Sequence, residues 1–247
     1  MNQPAMAPGS SDSGKVTMNT AGAPVRVMAV LGGAVVATLL SYIALNSIGT
    51  VYPTPPEVLN LGATPTPEER AAASAAKLVV DRANASIWLA AVGAVFGAIL
   101  PLIACLLRHS GRRTLAGVTG GILLGGGMGF LAGRTAVSTY HRIAPGVAES
   151  SYMMMHGLTW AIIGLAIGLA CELGNRLLTV RSAAGALAVG GIMGGVAGAM
   201  FPFVVAIAAP LLDSSIPVPA LGTGMIVFIG VGALMISIGV DQATTSK

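Results

Sequence analysis

Four ionisable side chains fall inside long apolar runs or at their ends, where such groups are rare and commonly functional. They are Glu172, Arg176, His156 and Arg134. Glu172 precedes Arg176 by four residues, which is the order that favours an ion pair along a helix. We therefore predict an ion pair at the membrane interface, with a functional carboxylate at Glu172 as the alternative.

The histidine and the second arginine lie near the ends of their apolar runs. His156 is about one helical turn inside its run, so we expect an imidazole that is satisfied by its neighbours or lies at the interface. The alternative is a pH sensor or ligand group acting together with His141. Arg134 follows a glycine-rich run, and we expect its guanidinium to reach the lipid headgroups.

Nucleophiles and metal ligands form no recognised motif in this sequence. Cys105 and Cys171 both fall in apolar runs, which favours small buried hydrophobes over a disulfide or a metal site. The consecutive methionines 153–155 point to different sides of a helix, which favours packing over soft-metal binding. Residues 127–132 mimic a dinucleotide fingerprint, but no strand precedes them.

An enzyme would need polar side chains to converge between the third and fourth apolar runs. The sequence places Arg134, His141, Arg142 and Glu149 there. It contains no P-loop, zinc-protease motif, paired CxxC or nucleophile elbow. We therefore predict no enzymatic activity, no catalytic residues, no metal and no cofactor.

Glycine recurs at every fourth position in several apolar runs. The longer series is Gly117, Gly121, Gly125, Gly129 and Gly133, the shorter is Gly190, Gly194 and Gly198, and two pairs are Gly93 with Gly97 and Gly164 with Gly168. Residues four apart lie on one side of a helix. In a bilayer such a bare stripe lets a second helix approach closely. We predict that these glycines are helix-packing sites; the alternative is that they line a path or a moving gate.

The composition is that of an integral membrane protein. The chain has 247 residues, of which 54% are hydrophobic and 9% are charged, whereas soluble domains carry about 25% charged residues. The net charge of +4 comes from basic residues scattered at the ends of apolar runs, so we expect no nucleic-acid partner. The expected partners are the lipid bilayer and a second copy or another membrane protein.

The apolar runs predict an all-α fold, a bundle of six transmembrane helices. The predicted spans are 27–48, 87–107, 115–136, 153–173, 183–212 and 220–240. We predict a disordered tail at 1–24, a membrane domain at 25–241 and a short tail at 242–247. The short arginine-rich loops after the second and fourth spans predict cytoplasmic termini, in what we expect to be a bacterial inner membrane.

The extramembrane loop at residues 50–86 is the only sizeable connection. Its spaced prolines favour an extended strap over the first part. Thr66, Pro67, Glu68 and Glu69 then read as a helix start, with a capping hydroxyl, proline in the first turn and acids near the positive helix end. The helix is expected to continue into the second span. Asn84 with Ser86 also matches a glycosylation triplet.

Two segments, at about residues 87–136 and 157–207, predict a tandem two-helix repeat. Trp88 with Gly93 corresponds to Trp160 with Gly164, and Arg112 corresponds to Arg181. The glycines of the second ladder follow those of the first at a constant offset. Because each unit has an even number of helices, both copies would share one orientation.

The second copy resembles a known type of membrane segment. It reads Trp160-Ala-Ile-Ile-Gly164-Leu-Ala-Ile-Gly168, then Arg181, then Gly190-Gly191-Ile-Met-Gly194-Gly195-Val-Ala-Gly198. This unit resembles the glycine-zipper membrane modules of bacterial proteins, some of which are joined to forkhead-associated domains. The resemblance covers about residues 87–201 and implies a helical membrane module without established chemistry. We expect a structural or assembly component; the alternative is a small transporter or channel.

Overall fold

The computed structural model describes residues 22–107, 111–143, 149–174, 179–208, 210, 213, 215–219 and 222–245. These residues form an all-helical protein, without strands in the described ranges. The helices are α1 (Ala23–Ile48), α2 (Pro56–Leu59), α3 (Pro67–Leu107), α4 (Gly111–Tyr140), α5 (Glu149–Leu173), α6 (Val180–Ala208) and α7 (Thr223–Thr245). All except α2 are long and apolar enough to cross a membrane. The predicted six-helix membrane fold is therefore confirmed.

Several helix ends differ from the predicted ones. The connection between the predicted spans 115–136 and 153–173 is shorter than expected, because α4 continues to Tyr140 and α5 already begins at Glu149. Helix α6, the fifth membrane helix, ends at Ala208 and not at the predicted position 212. Most of the predicted C-terminal tail, residues 242–247, belongs to α7. Of the expected disordered tail, residues 1–21 lie outside the described part of the chain.

Local signals at two helix starts explain where the extramembrane connection folds. The backbone N–H of Glu69 donates to Thr66 Oγ1 at 3.2 Å, and the Thr66 N–H donates to Glu69 Oε2 at 2.8 Å, a reciprocal cap that confirms the predicted start of α3. The expected strap is wrong over Pro56–Leu59, which form the short helix α2. Pro56 in its first turn and Glu57 near its positive end favour that helix.

Helix α3 is the longest element, with 41 residues and a length of about 60 Å. A bilayer core of about 30 Å needs only about half of that length. The helix is continuous from the extramembrane arm through Pro101 to its end at Leu107, as the sequence predicted for the entry into the second span. Neighbouring helices can satisfy the backbone groups that proline leaves without a bond.

The membrane helices form a closed ring in chain order. Each packs on the next along the chain, from α1 with α3 to α6 with α7, and α7 returns to α1. Directions alternate, so the bundle has two ends. The Arg26 end carries the start of α1 and the ends of α3, α5 and α7. The Trp88 end carries Gly49, the α3 arm and the end of α4.

An ion pair joins the first and last helices at the Arg26 end. Arg26 Nη2 lies 2.8 Å from Asp241 Oδ1, with both side chains about a quarter exposed.

Helix α5 is the most enclosed of the membrane helices, since 67% of its membrane-crossing window is buried against 22% for α1. The ring therefore has no open centre, because α5 also contacts α3 and α7 across it.

Glycines hold the backbones of α3 and α4 in direct contact. The facing pairs are Ala85 with Gly133, Leu89 with Gly129, Gly93 with Gly125, and Gly97 with Gly121. A Cβ on any of these glycines would overlap a carbonyl oxygen of the other helix. Larger residues therefore cannot occupy these positions without separating the helices.

Helices α5 and α6 meet in the same way. The facing pairs are His156 with Gly198, Trp160 with Gly194, Gly164 with Gly190, and Gly168 with Ala186. At each pair a Cβ on the glycine would again overlap a backbone carbonyl oxygen. In the α3/α4 hairpin Gly93 faces Gly125, and the predicted repeat gives Gly164 and Gly194 as their counterparts. In the α5/α6 hairpin, however, Gly164 faces Gly190, four residues before Gly194. The two hairpins thus differ in register by one helical turn.

Gly117 and Gly127 of α4 stand apart from this contact. Gly117 lies against Gly174, beyond the end of α5, and near the Cys105 thiol rather than against the α3 backbone. Gly127 has no heavy atom within 4 Å of the place where its Cβ would be. The contact with α3 is therefore confined to one side of α4, whereas Gly120 lies against Leu173 of α5 and Gly127 faces neither helix.

Candidate functional site

The centre of the ring is filled by aromatic rings from four helices. Phe96 of α3, Trp160 of α5, Phe201 of α6 and Phe228 of α7 are all at most 1% exposed. The Trp160 indole stacks on Phe96 with centroids 5.7 Å apart and lies 5.1 Å from Phe228. Gly232 of α7 leaves the space for this indole, because a Cβ there would overlap its six-membered ring. The centre is thus a packed aromatic core.

His156 belongs to this core rather than to the interface. Its imidazole is 0% exposed and makes edge contacts with Phe201 at 4.9 Å and Phe228 at 5.7 Å between centroids. His141, its suggested partner in a pH sensor, lies on the extramembrane side of the Trp88 end instead. The two histidines therefore belong to different parts of the protein.

Most buried hydroxyl groups bond to their own helix. Thr38 donates to the Ala34 carbonyl at 2.7 Å, and Thr159 and Ser237 bond in the same way to the residues four earlier. This bonding removes the need for a polar partner in a dry core. Ser41 Oγ and Trp160 Nε1 differ, because each is fully enclosed and makes no hydrogen bond within the described residues.

The Arg26 end holds the carboxylate that the sequence singled out. Glu172 is 2% exposed and stands in the last turn of α5, so it is enclosed by protein at the end of the span where the sequence placed it. Its predicted partner Arg176 lies outside the described residues. Cys105 and Cys171 are buried at the same end, and no disulfide joins them. Glu172, His156 and Arg134 are consequently at three separate places in the bundle.

A polar cluster at the Trp88 end contains Asp81, which no sequence motif had singled out. Asp81 of α3 bonds to Lys77 one turn away, and its Oδ2 lies 3.7 Å from His141 Nε2 beyond the end of α4. Arg134 is exposed on α4, nearer the membrane. Extending the antiparallel pairing of α3 with α4 beyond Ala85 and Gly133 would have predicted that Asp81 lies near His141.

Two side chains of α3 attach the connection that follows α1. Trp88 Nε1 donates to the carbonyl of Gly49 at 2.7 Å, and the Asn84 amide exchanges two hydrogen bonds of 2.9 Å with the Tyr52 backbone. Gly49 has a φ of 60°, a conformation that favours glycine. Because both polar atoms of the Asn84 amide are bonded and Ser86 is buried, this triplet is a structural clamp rather than an open glycosylation site.

The described side chains assemble no recognisable reaction centre. Within the described ranges no three His, Cys, Asp or Glu residues lie close enough to hold a metal ion. The methionines 153–155 point apart, with Met154 68% exposed and Met155 1% exposed. What the geometry offers instead is a packed aromatic core and the polar cluster at the Trp88 end.

Comparison with known proteins leaves the fold as the basis for classification. No family model, curated protein or solved structure matches the chain. The six apolar helices and the ring that they form define an all-helical integral membrane protein.

Proposed function

We propose that this protein is a non-enzymatic structural or assembly component of the membrane, whose glycine-mediated packing provides a stiff bundle. The observation that carries the proposal is the aromatic core around Trp160, which fills the space that a conduction path would need. The two hairpins support it, since their backbones meet through glycines along most of the membrane thickness. The resemblance to glycine-zipper modules agrees with such a role.

We expect purified protein in liposomes to produce no flux of potassium or of small organic solutes above that of empty liposomes. The reason is that moving any solute past Trp160 would require several packed rings to separate. Flux should be measured with an ion-sensitive dye and with radiolabelled solutes. Protein-dependent flux that saturates with concentration would contradict the structural role.

A small transporter or channel is the second candidate, and one observation favours it. Ser41 Oγ and Trp160 Nε1 are enclosed without hydrogen bonds, and burying such groups unpaired costs about 1–3 kcal/mol each. A small polar solute could supply the missing partners. If flux is found, Ser41→Ala, which removes only the hydroxyl group, should reduce it, whereas Phe203→Leu on an exposed face should not.

We propose further that the Arg26 end faces the cytoplasm of a bacterial cell, with the α3 arm on the opposite side. The short basic connections after α3 and α5 support this orientation. A cysteine at Val180, 89% exposed at the start of α6, should react with a membrane-impermeant maleimide only in inverted vesicles. A cysteine at Leu59, 70% exposed in α2, should react only in intact cells, and the reverse pattern would invert the topology.

A further inference from the structure

An apolar groove lies between α1 and α3 at the Arg26 end of the bundle. Its volume is about 470 Å³, within the range of about 300–1,000 Å³ that is usual for ligand pockets. Helix α1 lines the groove with Val25, Ala29, Gly32 and Gly33, and α3 lines it with Ile103 and the two leucines that end the helix. Because no polar side chain belongs to this lining, the groove offers only apolar contacts to an occupant.

Two consecutive glycines shape the groove. Gly33 and Ile103 are the lining residues nearest the middle of the membrane, and a Cβ on Gly33 would overlap Cδ1 of Ile103. The two helices therefore touch at this point, which closes the inner end of the groove. Gly32 is exposed, and no heavy atom lies within 4 Å of the place where its Cβ would be. The missing side chain of Gly32 thus leaves the groove open beside it.

The groove has the depth of one bilayer leaflet. From Val25 to Gly33 α1 rises by about 12 Å, and half of a bilayer core of about 30 Å is about 15 Å. Val25 lies at the start of the first membrane span, so the groove runs from the membrane surface toward the middle. Val25 and Leu106 are 57% and 61% exposed, which means that the groove opens to the lipid around the bundle and not to its aromatic core.

The position and the lining together favour a hydrocarbon chain as the occupant. Water needs two to four polar partners to be held in a cavity, and the lining supplies none from its side chains. An empty groove would forfeit the dispersion contacts of its walls. A spanning helix of a second copy would continue past the point where Gly33 and Ile103 touch, whereas an acyl chain ends near the middle of the bilayer.

We propose that this groove holds one acyl chain of a phospholipid from the leaflet at the Arg26 end, and that the protein retains this lipid as a resident. The chain enters beside Val25 and Leu106 and ends where Gly33 meets Ile103. The site does not depend on the proposed structural role, because the groove lies on the outer surface of the ring.

Native mass spectrometry tests the proposal on the full-length protein, reconstituted in phosphatidylcholine liposomes and extracted again into a mild detergent. The wild-type protein should retain one phosphatidylcholine molecule. Gly32→Leu places a side chain in the open part of the groove without meeting a backbone, and should lose this lipid. Gly127→Leu is the matched control and should keep it, since Gly127 is also exposed with open space at its Cβ position but does not line the groove.

Photo-crosslinking locates the retained lipid. Phosphatidylcholine with a diazirine on one acyl chain should remain crosslinked, after extraction, to peptides that contain residues 25–33 and 103–107 of the wild type. The same crosslinks should be lost in Gly32→Leu and kept in Gly127→Leu. Crosslinks of the retained lipid confined to other helices would overturn the proposal.

Three further outcomes would also overturn it. They are a wild-type protein that retains no lipid, equal retention by the wild type and by Gly32→Leu, and a lipid-free dimer that Gly32→Leu converts to a monomer. The last of these would make a second copy the occupant. If Gly32→Leu does not fold, Leu106→Trp enlarges an exposed lining residue and should displace the lipid in the same way.

Discussion

Leucine in place of Gly125 is expected to lower the free energy of unfolding by about 3 kcal/mol, the upper end of the cost of overpacking. The reason is that a Cβ at this position would overlap the carbonyl oxygen of Gly93, and a backbone atom cannot turn aside as a side chain can. For a chain of this size the melting temperature should fall by about 6–12 °C. Thermal unfolding in detergent, followed by intrinsic fluorescence, measures the change.

Gly127→Leu is the matched control for this substitution. It lies two residues away on the same helix, and open space surrounds the place where its Cβ would be. Its melting temperature should stay at the wild-type value or rise, since leucine favours a helix more than glycine does. Equal losses in the two variants would mean that glycine is needed for the helix itself and not for contact with α3.

Alanine in place of Trp160 is expected to cost about 3–5 kcal/mol, as for other large aromatic residues removed from a core. The indole is 0% exposed and touches Phe96, Phe228 and the backbone at Gly232, so its loss leaves a cavity bounded by three helices. The loss should appear as a lower melting temperature and as faster proteolysis of the detergent-solubilised protein.

Phe203→Ala provides the comparison for the tryptophan. Phe203 is an aromatic residue of α6 that is 49% exposed on the lipid-facing surface. Truncating it should change the free energy of unfolding by only about 0.5 kcal/mol, as surface substitutions do. A loss as large as that of Trp160→Ala would show that aromatic content, and not the central core, determines stability.

The sequence was sufficient for the parts of the fold that depend on local patterns. Apolar length predicted the six membrane helices, and the residues from Thr66 to Glu69 predicted the start of α3. These features depend on a few neighbouring residues, so a single chain is enough to read them. The helix-packing role of the glycines followed from their spacing, and the structure places most of them against a neighbouring backbone.

The sequence was insufficient where a side chain's role depends on distant contacts. Trp88 and Trp160 occupy corresponding places in the two predicted repeats, yet Trp88 bonds to Gly49 at one end and Trp160 fills the centre. Trp88 stands five residues before Gly93, whereas Trp160 stands four before Gly164, so the two indoles lie on different faces of their helices. The tandem duplication therefore stays a prediction, and its two copies are not equivalent in packing.

The candidate site was the least predictable part. For His156 the sequence left open an imidazole that is satisfied by its neighbours and one at the interface, because position in a single span does not show that α6 and α7 bring Phe201 and Phe228 to it. The sequence did not single out Asp81, because its neighbour in space, His141, is 60 residues away in the chain. Both relations depend on how helices pair, which spacing within one helix does not contain.

Helix α3 is a single rod that begins outside the bilayer and ends at the opposite surface. From Ala85 to Gly97, over about 18 Å, its backbone lies against α4, so this part of the rod cannot tilt without moving α4 as well. Phe96 belongs to the same stretch and stacks on Trp160. The continuity of this one helix therefore joins the arm near Pro67 mechanically to the aromatic core.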